Sequence, residues 1–182
     1  GLLILEQFEK NSFLPLFYND PARYAFPLEM SFLADRYQQL KSKLSSPELF
    51  QYPIVSDYFI SKSLIFARKT LQDDEYKLYS KLFHIISSSL PKPDLLIYLY
   101  SDIPKLQDNI KNRGRDYEQK IEDNYLEKIQ TSYLEFIHNQ TDMTIIILDN
   151  SKLDFVNREE DFTKIKNVIF QNHSKGIYRY SF

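Results

Sequence analysis

Four short apolar runs punctuate the chain, at residues 2–5, 53–55, 95–99 and 144–148. Each is continuously apolar rather than alternating, the pattern of strands covered on both faces in a parallel sheet. Longer stretches between them repeat with a helical period. Residues 21–44 place Phe26, Met30, Leu33, Tyr37 and Leu40 at three- and four-residue spacings, which predicts a helix with one apolar stripe. Residues 61–90 are also helical in pattern, with an interruption near Gln72, Asp73 and Asp74. The second half of that stretch aligns Tyr76, Tyr79, Leu82, Phe83 and Ile86. Proline at 91 and 93 ends it, because proline cannot continue a helix and restricts the residue before it. Further helices are predicted over 101–112, 121–138 and 159–171. Strands alternating with helices predict one α/β domain over 1–182, a three-layer parallel sheet with helices on both faces.

Composition narrows the function classes. A net charge of −2 provides no global field for nucleic acid or an anionic membrane, and no apolar run reaches the roughly 18 residues of a bilayer span. With no cysteine, the chain has no disulfide, thiol nucleophile or thiolate metal site, which fits a cytoplasmic protein. His84, His138 and His173 lack metal-ligand spacing, so no metal site is read from them. The fourteen tyrosines and fourteen phenylalanines are mostly packing residues, and a few could line a slot for a flat base.

In open α/β sheets ligands sit beyond the carboxyl ends of the strands. Glu6 follows the first apolar run, Asp57 follows the second, and the segment Asn-Arg-Gly-Arg-Asp-Tyr-Glu at 112–118 follows the third run and its helix. Arg113 and Arg115 straddle Gly114 and present forked donors suited to phosphate oxygens, with Gly114 as the hinge of a closing lid. Glu118 is placed to accept hydrogen bonds from sugar hydroxyls. A solvated basic turn before an ordinary helix start accounts for the same residues equally well.

RGRDYEQKIEDNYLEKI at 113–129 resembles the lid and following helix of the deoxynucleoside kinase family. EQFEKNSFLPLFYNDPARYAFPLEMSFLADR at 6–36 is similar to that family's stretch from the glutamate at a strand end into a long helix. PKPDLLIYL at 91–99 and SLIFA at 63–67 resemble its fourth strand and the helix after its acidic-Arg-Ser motif. The likeness runs in order through nearly the whole chain. It implies a P-loop kinase fold and transfer of the ATP γ-phosphoryl, with Mg²⁺, to the 5′-hydroxyl of a deoxynucleoside. It also implies a homodimer paired through helices, and in some bacteria fusion behind a hydroxymethyl-dihydropterin pyrophosphokinase domain.

The resemblance assigns roles residue by residue. Glu6 is the base for the 5′-hydroxyl, and Tyr18 and Glu118 bind the 3′-hydroxyl. Phe26 packs on the base, Glu29 stands where the family has a base-reading Gln, Arg113 and Arg115 are lid arginines, and Asp57 is the acidic residue of the acidic-Arg-Ser motif.

Three departures accompany it. Only three glycines occur, and none belongs to a Gly-rich phosphate loop, so the chain reads as a domain whose first strand and phosphate loop are missing. Tyr58 stands where the family has Arg, so a cation near the transferring phosphoryl group is lost. Glu29 accepts from an exocyclic amino group but donates only when protonated, which favours a purine or cytosine over a thymine edge. Two other readings follow from these departures: a degenerate module that dimerises or binds nucleosides without transferring phosphate, and, more weakly, a thymidylate kinase relative.

Overall fold

The computed structural model describes residues 1–7, 11–45 and 53–182, apart from the side chain of Tyr117. Residues 8–10 of the stretch likened to the kinase family lie outside them. The chain divides into two compact units, Gly1–Lys92 and Pro93–Phe182.

In the first unit, β1 (Leu2–Ile4) pairs in parallel with β2 (Ile54–Ser56), Leu3 opposite Val55. Among the described residues, α1 (Phe13–Asn19) and α2 (Pro21–Leu44) lie between the two strands, and α3 (Lys62–Thr70) and α4 (Asp73–Ser87) follow β2. Asp20 caps α2 by accepting the Arg23 N–H at 3.2 Å, and Pro21 opens the helix where its missing N–H costs nothing. The residues α2 buries are Ala25, Leu28, Glu29, Leu33, Arg36 and Leu40. Leu33 and Leu40 of the expected apolar stripe are buried, while Ala25, Glu29 and Arg36 lie one position before its other members. Phe26 and Met30 only half-bury against the core, and two charged residues stand on the buried line. The break expected near residues 72–74 is present. Gln72 caps α4 in a reciprocal box with Glu75, its N–H donating to Glu75 Oε2 at 3.1 Å. Ile4, Leu33, Leu40, Tyr58, Ala67, Tyr79 and Phe83 form the core of this unit.

The second unit holds a parallel sheet in the order β3 (Leu96–Tyr100), β4 (Thr144–Asp149), β5 (Gly176–Ser181). The helices are α5 (Ile103–Arg113), α6 (Asp123–His138) and α7 (Glu159–Ile169), with a 3₁₀ turn at Asp116–Glu118. Central β4 buries Ile145, Ile146, Ile147 and Leu148, as a run apolar on both faces requires. Each such side chain contributes about 1.5–3 kcal/mol relative to exposure.

Two sequence expectations need correction. β5 is a fifth strand that the apolar runs did not reveal. It alternates half-buried Tyr178 and Tyr180 with exposed Ile177 and Arg179, the period-two pattern of a strand covered on one face. Conversely, β1 and β2 are not covered on both faces, since Leu3 and Val55 are exposed. The architecture is nonetheless α/β with parallel strands and intervening helices.

Candidate active site

Parallel pairing of β1 and β2 brings two strand ends together. Just beyond β1, the Glu6 N–H donates to Asp57 Oδ1 at 2.9 Å, and the Asp57 N–H donates to the Ile4 carbonyl at 3.1 Å. Both oxygens of the Glu6 carboxylate are occupied. Arg36 of α2 places Nε at 2.7 Å and Nη2 at 2.6 Å from Oε1. Lys62, the first residue of α3, places Nζ at 2.6 Å from Oε2. Arg36 Nη1 in turn donates to Ser63 Oγ at 2.7 Å. Burial acts to raise the Glu6 carboxyl, but the charges of Arg36 and Lys62 and their hydrogen bonds outweigh it and hold the group below the ordinary carboxylate range. Glu6 is thus held in its ionised form. A cleft of about 530 Å³ opens beside it, lined in part by Phe32, Asp35, Arg36 and Gln39.

Tyr58 has no share in this charge network. Its ring is buried in the core and its hydroxyl donates to Gln39 Oε1 at 2.6 Å, while Gln39 Nε2 donates to the Leu5 carbonyl at 2.8 Å. That relay ties the end of β1 to α2. Burial pushes the Tyr58 hydroxyl up to about 12. Lys62, four residues past Tyr58 and the first residue of α3, reaches Glu6 directly and supplies a cation beside it.

Glu29 sits deeper on α2, only 3% exposed. Thr70 Oγ1 donates to its Oε1 at 2.8 Å, and its Oε2 is buried with no hydrogen-bond partner among the described residues. Desolvation pushes the carboxyl up to about 7, against the Thr70 hydrogen bond and the charges of Arg36 and Lys62. A carboxyl raised in this way contributes stability below its unfolded value, near 4.5, and loses it as the pH rises towards 7. Gln cannot ionise and removes this dependence. Glu29→Gln is therefore expected to match the wild type near pH 4.5 and to exceed it at pH 8 by about 3 kcal/mol at 1.36 kcal/mol per unit. Urea unfolding at the two pH values measures it; a variant less stable than wild type at pH 8 refutes the assignment.

Phe26 is half-buried against the core of the same unit. Tyr18, on α1, is 43% exposed and stacks edge-on against Phe17.

In the second unit, α5 ends at Gly114, whose φ of +69° is the left-handed conformation of a helix C-cap. The turn delivers both flanking arginines to one carboxylate. Arg113 Nη2 lies 2.6 Å from Glu118 Oε2, and Arg115 Nη1 lies 3.1 Å from Oε1. The segment 112–118 is therefore an ion-pair cluster built on a glycine cap, more than a solvated basic turn.

The structure unites Glu6 with Asp57, and Arg113 with Arg115 and Glu118. Arg36, Lys62, Ser63 and Thr70 were missed. Arg36 had a legible signal, because it falls on the same helical line as Leu33 and Leu40. A charge on an apolar line needs a partner. Lys62 had none, since it looks like any lysine at a helix start.

Parallel strands alternating with helices define an α/β fold. A deoxyadenosine kinase from M. mycoides with bound dATP shares it, with a TM-score of 0.77 over 93% of this chain and 86% of that one, at 23% identity. The family model for deoxynucleoside kinase matches residues 3–174, and the chain belongs to that family. Among its relatives, a deoxyguanosine kinase of Bacillus subtilis (strain 168) is 35% identical over 90% of this chain and 81% of its own length. A deoxyadenosine/deoxycytidine kinase of the same organism is 29% identical over 94% and 82%, respectively. A deoxyguanosine kinase of Lactobacillus johnsonii is 32% identical over 90% and 77%.

Proposed function

We propose that this chain binds a purine deoxynucleoside, deoxyguanosine foremost, and presents its 5′-hydroxyl for phosphorylation. The observation that carries the reading is the Glu6 carboxylate, held ionised at a strand end by Arg36 and Lys62. A sugar hydroxyl is a poor nucleophile until its proton is accepted, and a fixed carboxylate accepts it. Glu29 would read the base. Ionised, it accepts from two adjacent N–H groups, the edge guanine presents; protonated, it pairs a donor with an acceptor, the edge adenine presents. The similarity to two deoxyguanosine kinases supports guanine first. Phe26 would pack on the base and Tyr18 would bind the 3′-hydroxyl, a role the family resemblance also gives to Glu118. Arg113 and Arg115 would leave Glu118 to neutralise phosphate oxygens.

The phosphoryl donor in this reading is ATP with Mg²⁺. The residues here do not fit its triphosphate: the sequence has three glycines, and the described ones with positive φ, Gly114 and Gly176, are a helix cap and a strand start. The chain therefore supplies the acceptor side of the reaction. The lost arginine beside Asp57 slightly favours the alternative of a non-catalytic module; the Lys62 cation beside Glu6 weighs against that one argument.

Calorimetric titration of the 182-residue chain is the test. Deoxyguanosine and deoxyadenosine are expected to bind ahead of thymidine. ATP is expected to yield no nucleotide product until a segment bearing a phosphate loop is joined to the chain. Thymidine binding tightest would overturn the base assignment, and turnover by the 182 residues alone would overturn the division of labour.

A further inference from the structure

The two cations on Glu6 are held very differently. Arg36 is fixed. Its side chain is 7% exposed, Nε and Nη2 both engage Glu6, and Nη1 is bonded to Ser63. A planar guanidinium committed at three nitrogens cannot turn to another anion without breaking all three contacts. Lys62 is not fixed in this way. Its side chain is 27% exposed, it stands on the first residue of α3, and its only carboxylate contact among the described residues is Glu6 Oε2. Its ammonium lies 5.8 Å from the Phe66 ring, which offers a weak alternative resting place. The stem is a flexible four-carbon chain carrying a compact charge.

Glu6 meanwhile faces a conflict. The charges that keep it ionised also lower its basicity. A carboxylate shared by two cations is a poor proton acceptor, yet the role proposed above needs a good one. Among the described residues, the charged groups around it are Arg36 and, along the cleft, Asp35 from α2, Lys62 from α3 and Asp57 after β2, with the neutral Tyr58 alongside. Of these only Lys62 can leave.

Resting on the deoxynucleoside reading above, we propose that Lys62 is an exchangeable cation: it leaves Glu6 for the phosphoryl oxygens at the 5′ position. Two effects follow from one movement. The anion at the 5′ position gains a counter-charge in the place that Tyr58 cannot fill. Glu6 loses one of its two cations as the 5′-hydroxyl proton must be accepted, so burial raises its basicity when it is needed. Once a 5′-monophosphate has formed, Lys62 stands between its oxygens and the Glu6 carboxylate, which would otherwise repel each other.

The proposal predicts a preference that binding alone can read. Calorimetry would compare deoxyguanosine with deoxyguanosine 5′-monophosphate on wild type, Lys62→Met and Lys62→Arg. In the wild type the monophosphate is expected to bind more tightly than the nucleoside, with the advantage shrinking as salt rises. In Lys62→Met the ratio of the two affinities is expected to fall about tenfold, a change of 1.4 kcal/mol, with nucleoside affinity nearly unchanged. Lys62→Arg should keep the ratio within about threefold of wild type. If Lys62→Met does not fold, Lys62→Gln carries the same comparison. An unchanged ratio, or equal loss of affinity for both compounds, overturns the role of Lys62, since a purely structural lysine would behave so. If the wild type binds neither compound, the deoxynucleoside reading falls and this proposal with it.

Discussion

Glu6→Gln, made in a chain joined to a phosphate-loop segment, is expected to lower kcat by about 10²–10⁴-fold, the usual contribution of a positioned general base. Gln keeps the length and one acceptor oxygen, so KM for the deoxynucleoside should stay nearly constant, sugar and base contacts being assigned elsewhere. The amide, however, cannot serve two cations. Its carbonyl can accept from Arg36, which leaves its NH₂ facing Lys62, donor against donor, where the wild type has a 2.6 Å ion pair. Lys62 should swing away, so the variant also reports whether that side chain is as free as its exposure suggests. A kcat within about twofold of wild type, with chemistry rate-limiting, would remove Glu6 from the role of base.

The largest stability effect is expected at Arg36. Arg36→Met keeps the aliphatic bulk but takes the fixed cation from a partly buried carboxylate and the donor from Ser63. Breaking a buried pair on one side costs about 3–5 kcal/mol. Lys62→Met should cost much less, within the 0–1 kcal/mol typical of an exposed pair, because its side chain is partly exposed and Arg36 still holds Glu6. Urea unfolding at neutral pH measures both. Glu6 is held below its ordinary value, so its contribution is present above the unfolded carboxylate pKa and is lost as pH falls through the lowered folded one. The gap between wild type and Arg36→Met should therefore close in acid. A loss below about 1 kcal/mol for Arg36→Met, or one no larger than for Lys62→Met, would show that the network does not depend on its buried member.

The alternation of strand and helix was readable because hydrophobic period is a local property. Continuous apolar runs marked β3 and β4, and Gln72, Asp73 and Asp74 marked the break between α3 and α4. β5 escaped because its Tyr178 and Tyr180 pack on one face only, so its six residues carry no apolar run. The stripe on α2 was placed correctly at Leu33 and Leu40 and one position off elsewhere. Three- and four-residue spacing suggested Phe26 and Tyr37, whereas the helix turns Ala25, Glu29 and Arg36 inward.

What the sequence determined by itself is the alternation of elements, the strand-end glutamate, the arginine-flanked glycine cap and the likeness to deoxynucleoside kinases. Each is written in residues that neighbour one another or repeat at a fixed period. The electrostatics of the site were decided only by tertiary structure. Arg36 and Lys62 reach Glu6 across 30 and 56 residues of chain, and Thr70 reaches Glu29 across 41. Whether a carboxyl is held down by cations, like Glu6, or pushed up by burial, like Glu29, depends on the charges and water left around it after folding. No local pattern encodes that environment, because the charges that set it come from helices distant in the chain.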